Sequence, residues 1–361
     1  MIEVKVPGKL FIAGEYAILE PGHEAIVIAV DRFVKVTVQK SNNNELSLPQ
    51  IGYPSVRWKW KNGQVHLDED SRRLAFTKSA LQVAIKFLTE QGEKIIENFS
   101  LTIDSQLDDG LGKKFGLGSS AAIVVGIISA LLQLHQVSVK KDGLFKLASI
   151  AHYKTQGNGS CADIAASVFG GWIRYSSFRP EWLLKELEEG TTLTELVQKP
   201  WPYLVIQPLP QPDFLVLCIG WTKMSAKTGP MVAKVQQLKT TDPESYRTFL
   251  KESKEAVALT IEGFYQKNID LVIEGLTNNR LALKKLGEKA REKIETPQLT
   301  TLIDIANRYG SGKSSGAGGG DCGIAILSDK KYRPKLEEEW KEAGIEPLNL
   351  KVSTIGTERV R

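Results

Sequence analysis

The chain is poor in the residues that build metal and disulfide sites. It has three cysteines, Cys161, Cys218 and Cys322, and four histidines, His23, His66, His135 and His152, in 361 residues. The cysteines have no metal-ligand spacing and the histidines form no HExxH or paired pattern, which excludes a sequence-defined zinc site. An odd cysteine count points to reduced thiols and a cytoplasmic setting. The longest mostly apolar run, Ala121 to Leu132, is too short to span a bilayer. The first residues alternate as a strand does and do not read as a secretion signal. No repeat or heptad pattern is present, and no basic stripe with interleaved aromatics, so neither a solenoid, a coiled coil nor a nucleic-acid binder is indicated.

What is present suits a soluble enzyme. Hydrophobic residues make up 42% and charged residues 25%, and the net charge of +5 is spread along the chain. That balance is compatible with polyanionic small substrates. The length favours two domains. A proline-rich crossing from Pro200 to Pro212 places the boundary near residue 200, giving 1–200 and 201–361.

The first half predicts strands over 2–14, broken by a turn at Pro7-Gly8, then 25–30 and 33–39, and a hairpin over 56–66 turning at Asn62-Gly63. Helices are expected over 79–91, from Ser119 onward, from an Asp142 N-cap, and after Asp163. The second half predicts a strand at 214–219, helices near 251–266 and 269–289, and a Thr296-Pro297 helix start with Gly310 past its end. A strand at 322–327, a helix at 334–343 and a strand at 348–352 follow. This order implies α+β.

Three stretches carry the chemistry. In KKFGLGSSAA, Lys113 to Ala122, glycines and serines run straight into an apolar helix. Glycine lets backbone approach a ligand, and a helix start offers free N–H groups and partial positive charge to a phosphate. The same pattern is also that of a serine-capped helix after a tight turn. Two decoys fall away. Gly312-Lys313-Ser314 resembles the end of a Walker A loop, but Asn307 stands where its first glycine is needed. Gly116-x-Gly118-x-x-Ala121 lacks the βαβ context of a dinucleotide fingerprint.

PGKLFIAGEY (Pro7 to Tyr16), KKFGLGSSAA and KSSGAGGGDCGIA (Lys313 to Ala325) resemble, in order and wide spacing, the three motifs of the GHMP kinases. The resemblance covers essentially the whole chain. Lys-Phe-Gly before Leu-Gly-Ser-Ser, QGNGSCADIAASVFGGWI (Gln156 to Ile173) and Gly-Gly-Gly-Asp-Cys-Gly resemble most closely the bacterial phosphomevalonate kinase branch. Gly112 stands where many members have proline, which weakens a mevalonate- or homoserine-kinase assignment.

The resemblance implies a ribosomal-protein-S5-like N-terminal domain, a ferredoxin-like C-terminal domain, and a site in the cleft between them. It implies ATP as donor, Mg²⁺ as cofactor and phosphomevalonate as acceptor. ATP would be held by Lys114, Gly116, Leu117, Gly118, Ser119, Ser120 and Ala121, with the Ser120 hydroxyl on Mg²⁺. Lys9 and Asp163 would be catalytic, Lys9 also touching substrate. Asn158, Gly159 and Ser160, with Ser314, Ser315, Gly316, Ala317 and Gly318, would bind substrate. The 222–228 loop would contribute Ser225, Lys227 or Thr228. An acceptor phosphate, with a second pKa of about 6, is already nucleophilic at neutral pH, so Asp163 is expected to orient more than to abstract a proton. His152, on an apolar helix, is expected in the core or at its rim.

Overall fold

The computed structural model describes residues 1–69, 71–96, 98–108, 115–224 and 228–360. Two sheets organise them.

The spine of the nine-stranded sheet is the antiparallel pair Ile2–Ala13 and Glu24–Lys40. In the second of these, Val34, Val36 and Val38 are buried and alternate with more accessible Lys35, Thr37 and Gln39, whereas residues 25–30 are all buried. The strand therefore passes from a one-sided to a two-sided environment along its length. Its start pairs with Trp172–Ser176 and its end with Phe99–Ser105. The expected turn at Pro7-Gly8 is instead a bulge within one unbroken strand: Pro7 pairs with Phe33 but Gly8 with Val30. A bulge tolerates a residue with no N–H and bends the strand locally. The hairpin of Tyr53–Lys61 and Gln64–Leu67 turns at Asn62 and Gly63, both at positive φ (53° and 71°), as that dipeptide requires.

Helices Ala75–Glu90, Ser119–Leu134 and Lys141–Gln156 pack together beside this sheet, with the short Ala162–Phe169 among them. Ser119–Leu134 is buried almost all round, from Ala121 to Leu132 apart from Ile123, which makes it the central helix. Asp142 is not the N-cap expected. Lys140 holds that place, and Asp142 sits in the first turn, 2.9 Å from Lys146. A carboxylate is favoured in a first turn for the same dipolar reason that it is favoured in a cap.

The second sheet has four antiparallel strands in the order Gly310–Ser314, Cys322–Leu327, Val216–Trp221, Glu346–Leu348. Helices Thr228–Thr241, Pro243–Gln266, Ile269–Ala290 and Pro297–Ala306 intervene between its first and second strands in sequence, and Arg333–Glu342 between its third and fourth. This is the βαββαβ order of a ferredoxin-like unit. Thr296 caps its helix by accepting from the Leu299 N–H, as expected. Gly310 does not end that helix; it opens the strand that carries Lys313 and Ser314.

The chain crosses between sheets over 209–215, because Val205–Pro208 still pairs with Trp172–Ser176. Its last segment returns: Val352 bridges Val30, and Glu358–Arg359 pairs with Val4 and Lys5. Among the described residues no helix is long and apolar enough to cross a membrane.

Candidate active site

The glycine-rich loop lies directly on the first strand. The Lys9 N–H donates to the Leu117 carbonyl at 2.8 Å. That approach requires Gly8, where a Cβ would stand 2.9 Å from the Leu117 oxygen and 2.8 Å from Leu107. The Lys9 ammonium reaches over the loop and donates to the Gly116 carbonyl at 2.9 Å. Gly116 and Gly118 are both left-handed (φ 77° and 79°), and each faces a chemical group of another motif. A Cβ on Gly116 would meet the Asp321 side chain at 2.7 Å. One on Gly118 would meet Lys9 Cγ at 2.9 Å and Asp163 Cβ at 3.5 Å. Lys9 and Asp163 thus both lie against the bare Cα of Gly118.

Gly118 is also the N-cap of Ser119–Leu134, and no side chain caps that helix. Ser119 and Ser120 are therefore first-turn residues and not caps. Among the described residues no side chain takes the turn's N–H groups, an arrangement that suits an anion, and both serines are partly accessible. Leu117 and Ala121 are buried, so only their backbone can face a ligand.

Asp163 lies in the first turn of Ala162–Phe169, with one oxygen accepting from the Ile164 N–H at 3.0 Å. One turn on, the Ser167 hydroxyl donates to the Pro7 carbonyl at 2.9 Å. This bond fixes the Asp163 helix to the strand beside Lys9. The helix entry is tight: Gly157 ends the preceding helix at φ 76°, Gly159 has φ 107°, and Cys161, at φ 58°, is the N-cap. The Ser160 carbonyl accepts from the Tyr175 and Ser177 hydroxyls. Its own hydroxyl accepts from the Ala162 N–H at 3.4 Å, which leaves its proton free to be donated elsewhere. Asn158 is exposed and braced by the Gln156 amide.

The third motif closes on the other two. Ser315 Oγ accepts from the Phe11 N–H (3.0 Å) and donates to the Phe11 carbonyl (2.8 Å). The Tyr16 hydroxyl donates to the Ala317 carbonyl at 2.6 Å. Gly318 lies against the Ile294 carbonyl, where a Cβ would be 2.1 Å away, and the Gly319 N–H donates to that same oxygen. The Cys322 thiol donates to the Phe115 carbonyl at 3.1 Å, and burial pushes that thiol's pKa far up. Ser315, Ala317 and Gly318 thus each hold the loop to protein, while Gly316 has open space beside its Cα. Ser314 is buried in strand.

Beneath this loop lies a group that sequence reasoning missed. Lys313 is fully buried and paired with Glu15, which is 2% exposed. The Lys313 ammonium also donates to the Ser314 carbonyl at 2.7 Å, and the Gly316 N–H donates to Glu15 at 3.3 Å. Burial pulls the Lys313 pKa below its ordinary value; Glu15 opposes the shift. The second Glu15 oxygen is buried with no hydrogen-bond partner. Tyr16, next in sequence, is held at φ 61°. The signal available was a charge within the apolar FIAGEYAIL, since such a residue folds inward only with a partner.

Lys114 lies outside the described residues, as do Lys113, Ser225 and Lys227. Thr228 begins an exposed helix end. His152 is buried and packs against the Phe76 ring at 4.8 Å. Among the described residues no cluster of three or more His, Cys, Asp or Glu side chains could hold a metal by itself.

The sequence and the fold were compared with known proteins. The model of the GHMP kinases N terminal domain matches residues 77–171 and that of the GHMP kinases C terminal matches residues 260–346. The phosphomevalonate kinase of Streptomyces sp. (strain CL190) is 33% identical over 95% of each chain. The structure of a Lin0012 protein from Listeria innocua superposes with a TM-score of 0.94 at 38% identity, covering 100% of this chain and 99% of that one. Streptococcus pneumoniae phosphomevalonate kinase in complex with phosphomevalonate and AMPPNP superposes with a TM-score of 0.86 at 30% identity, covering 98% and 100%. With three motifs converging on one helix mouth, a two-domain α+β fold shared over its full length, and both family models matched, this chain belongs to the GHMP kinases.

Proposed function

We propose that this GHMP kinase transfers the γ-phosphoryl group of ATP to 5-phosphomevalonate, yielding 5-diphosphomevalonate and ADP. The observation that carries the reading is the convergence of Lys9 and Asp163 on Gly118, at the uncapped start of Ser119–Leu134. Named relatives add the acceptor: two similar phosphomevalonate kinases, one of them in complex with phosphomevalonate and AMPPNP.

Phosphoryl transfer needs positioning and positive charge more than covalent help. In this reading an oxygen of the acceptor phosphate attacks the γ-phosphorus as the bond to the β-phosphate oxygen breaks, and ADP leaves with that electron pair. The first-turn N–H groups and the Gly116–Gly118 backbone hold the donor phosphates. The Lys9 ammonium, already aimed over the loop, neutralises charge on the group in transit. Asp163 orients Lys9 and its surroundings, while Asn158, Gly159 and Ser160 face the acceptor.

Ser120 and Asp163 would neighbour a bound Mg²⁺, which would supply positive charge to the donor phosphates. A partly accessible first-turn hydroxyl, Ser120, and one carboxylate, Asp163, fit an ion that takes most of its ligands from phosphate oxygens and water. The test is ADP release with phosphomevalonate, mevalonate, homoserine and diphosphomevalonate offered separately. Turnover with phosphomevalonate supports the proposal; turnover only with an unphosphorylated alcohol overturns it.

A further inference from the structure

A second concave site lies away from the three motifs. A groove of about 780 Å³ opens between the 53–67 hairpin, helix Ala75–Glu90 and the last turn of helix Lys141–Gln156. Its wall is built: the Gln82 amide donates to the Gly63 carbonyl at 2.6 Å and accepts from the Val65 N–H at 2.8 Å, fixing the hairpin turn to the helix. Four cations line the groove, Arg72, Lys78, Lys86 and Lys154, and among the described residues no acidic one does. Lys86 has a long 3.8 Å contact with Glu90; among the described residues, no carboxylate pairs with Arg72, Lys78 or Lys154. Elsewhere on the surface such pairs are common, for instance Lys199 with Glu186 and Lys285 with Glu252. Partial burial, and then repulsion from Lys86, lowers the Lys154 pKa, so an anion between these groups would relieve a standing cost.

Spacing narrows the ligand. Lys78, Gln82 and Lys86 succeed one another at four-residue steps on one helix face, and the two lysines are separated by a rise of about 12 Å. Their flexible side chains can converge from both ends on one compact anion, and several cations together suit a linked di-phosphate better than a single phosphate. We infer that this groove is a binding site, distinct from the catalytic cleft, for a small molecule carrying two linked phosphate-type groups. Lys154 and Thr155 line it, and the same helix ends two residues later at Gly157. Occupancy therefore bears on the turn that leads into Asn158 and Ser160.

The probe is inorganic pyrophosphate, titrated calorimetrically into the intact protein with an unreactive ATP analogue saturating the nucleotide loop. Binding is expected to persist, and to weaken at least about tenfold in the Lys78→Gln/Lys154→Gln double variant, since the loss of even one charge-assisted contact is worth about that factor. The variant's basal kinase activity should be unchanged, which also certifies its fold. Should that pair unfold, Arg72→Gln/Lys86→Gln serves the same test. Lys9→Met should bind pyrophosphate as the parent does. Absence of binding once the nucleotide loop is filled, or equal affinity in parent and double variant, overturns the inference.

Discussion

Glu15 and Lys313 are 298 positions apart and form a fully buried ion pair between the first motif and the strand that leads into the third. The pair links the Lys9 strand to the opposite sheet directly beneath the third loop. Removing one partner leaves an uncompensated buried charge, at a cost of roughly 3–5 kcal/mol, whereas removing both is far milder. Glu15→Gln should therefore lower thermal stability sharply, and Glu15→Gln/Lys313→Met should recover most of the loss. The pH sign follows from the lowered Lys313 pKa. Between the folded and the ordinary lysine value the unfolded chain binds more protons, so stability rises with pH there. Without Glu15 the folded value falls further and that window widens downward. The Glu15→Gln deficit should thus shrink as pH is raised toward 10, measured by denaturant unfolding. A deficit independent of pH would contradict a charged Lys313.

Among the described residues, Lys9 bonds to the loop through its ammonium and its backbone N–H. Lys9→Met keeps the backbone bond and the bulk, so the fold should stand. Loss of one electrostatic donor at a transferring group costs about 10²–10³ in kcat. Steady-state kinetics beside a circular dichroism melt checks this. A kcat within a factor of a few of the parent removes Lys9 from the chemistry.

Gly118→Ala tests the loop's geometry. Its φ of 79° is strained for an L-residue by roughly 1–2 kcal/mol, and the methyl would press on Lys9 Cγ. A rise in KM for ATP together with a fall in kcat is expected, with little change in KM for the acceptor. A change confined to the acceptor would misplace the nucleotide.

Asp163→Asn separates orientation from proton abstraction. With a phosphate acceptor already ionised above about pH 6, an orienting Asp163 gives a kcat loss of similar size from pH 6 to 9. A loss that appears only at low pH, where the acceptor is protonated, would make Asp163 the base.

The parts legible in the sequence were those in which residue type encodes a backbone requirement. Gly116 and Gly118 sit at positive φ against other motifs, and Asn62-Gly63 turns its hairpin. Asp163 was legible only through its neighbours, because an aspartate in a first turn is common in any helix. Pro7-Gly8 was misread since turns and bulges draw on the same residue types. Only the partner register, Phe33 then Val30, distinguishes them. Asp142 shifted by two positions because caps and first turns attract the same carboxylate. In the sequence Lys313 reads as a Walker A remnant and as the first residue of the third motif, in neither case as a buried cation. Its partner lies in the turn just past the Ile2–Ala13 strand, and no local pattern reports a contact across such a separation.

The most direct test of the account is ³¹P NMR of the product formed from ATP and phosphomevalonate. The account predicts loss of the acceptor monophosphate signal and growth of two mutually coupled diphosphate resonances distinct from those of ADP. A new, uncoupled phosphate-ester signal beside an intact acceptor monophosphate would show transfer to a hydroxyl and contradict it.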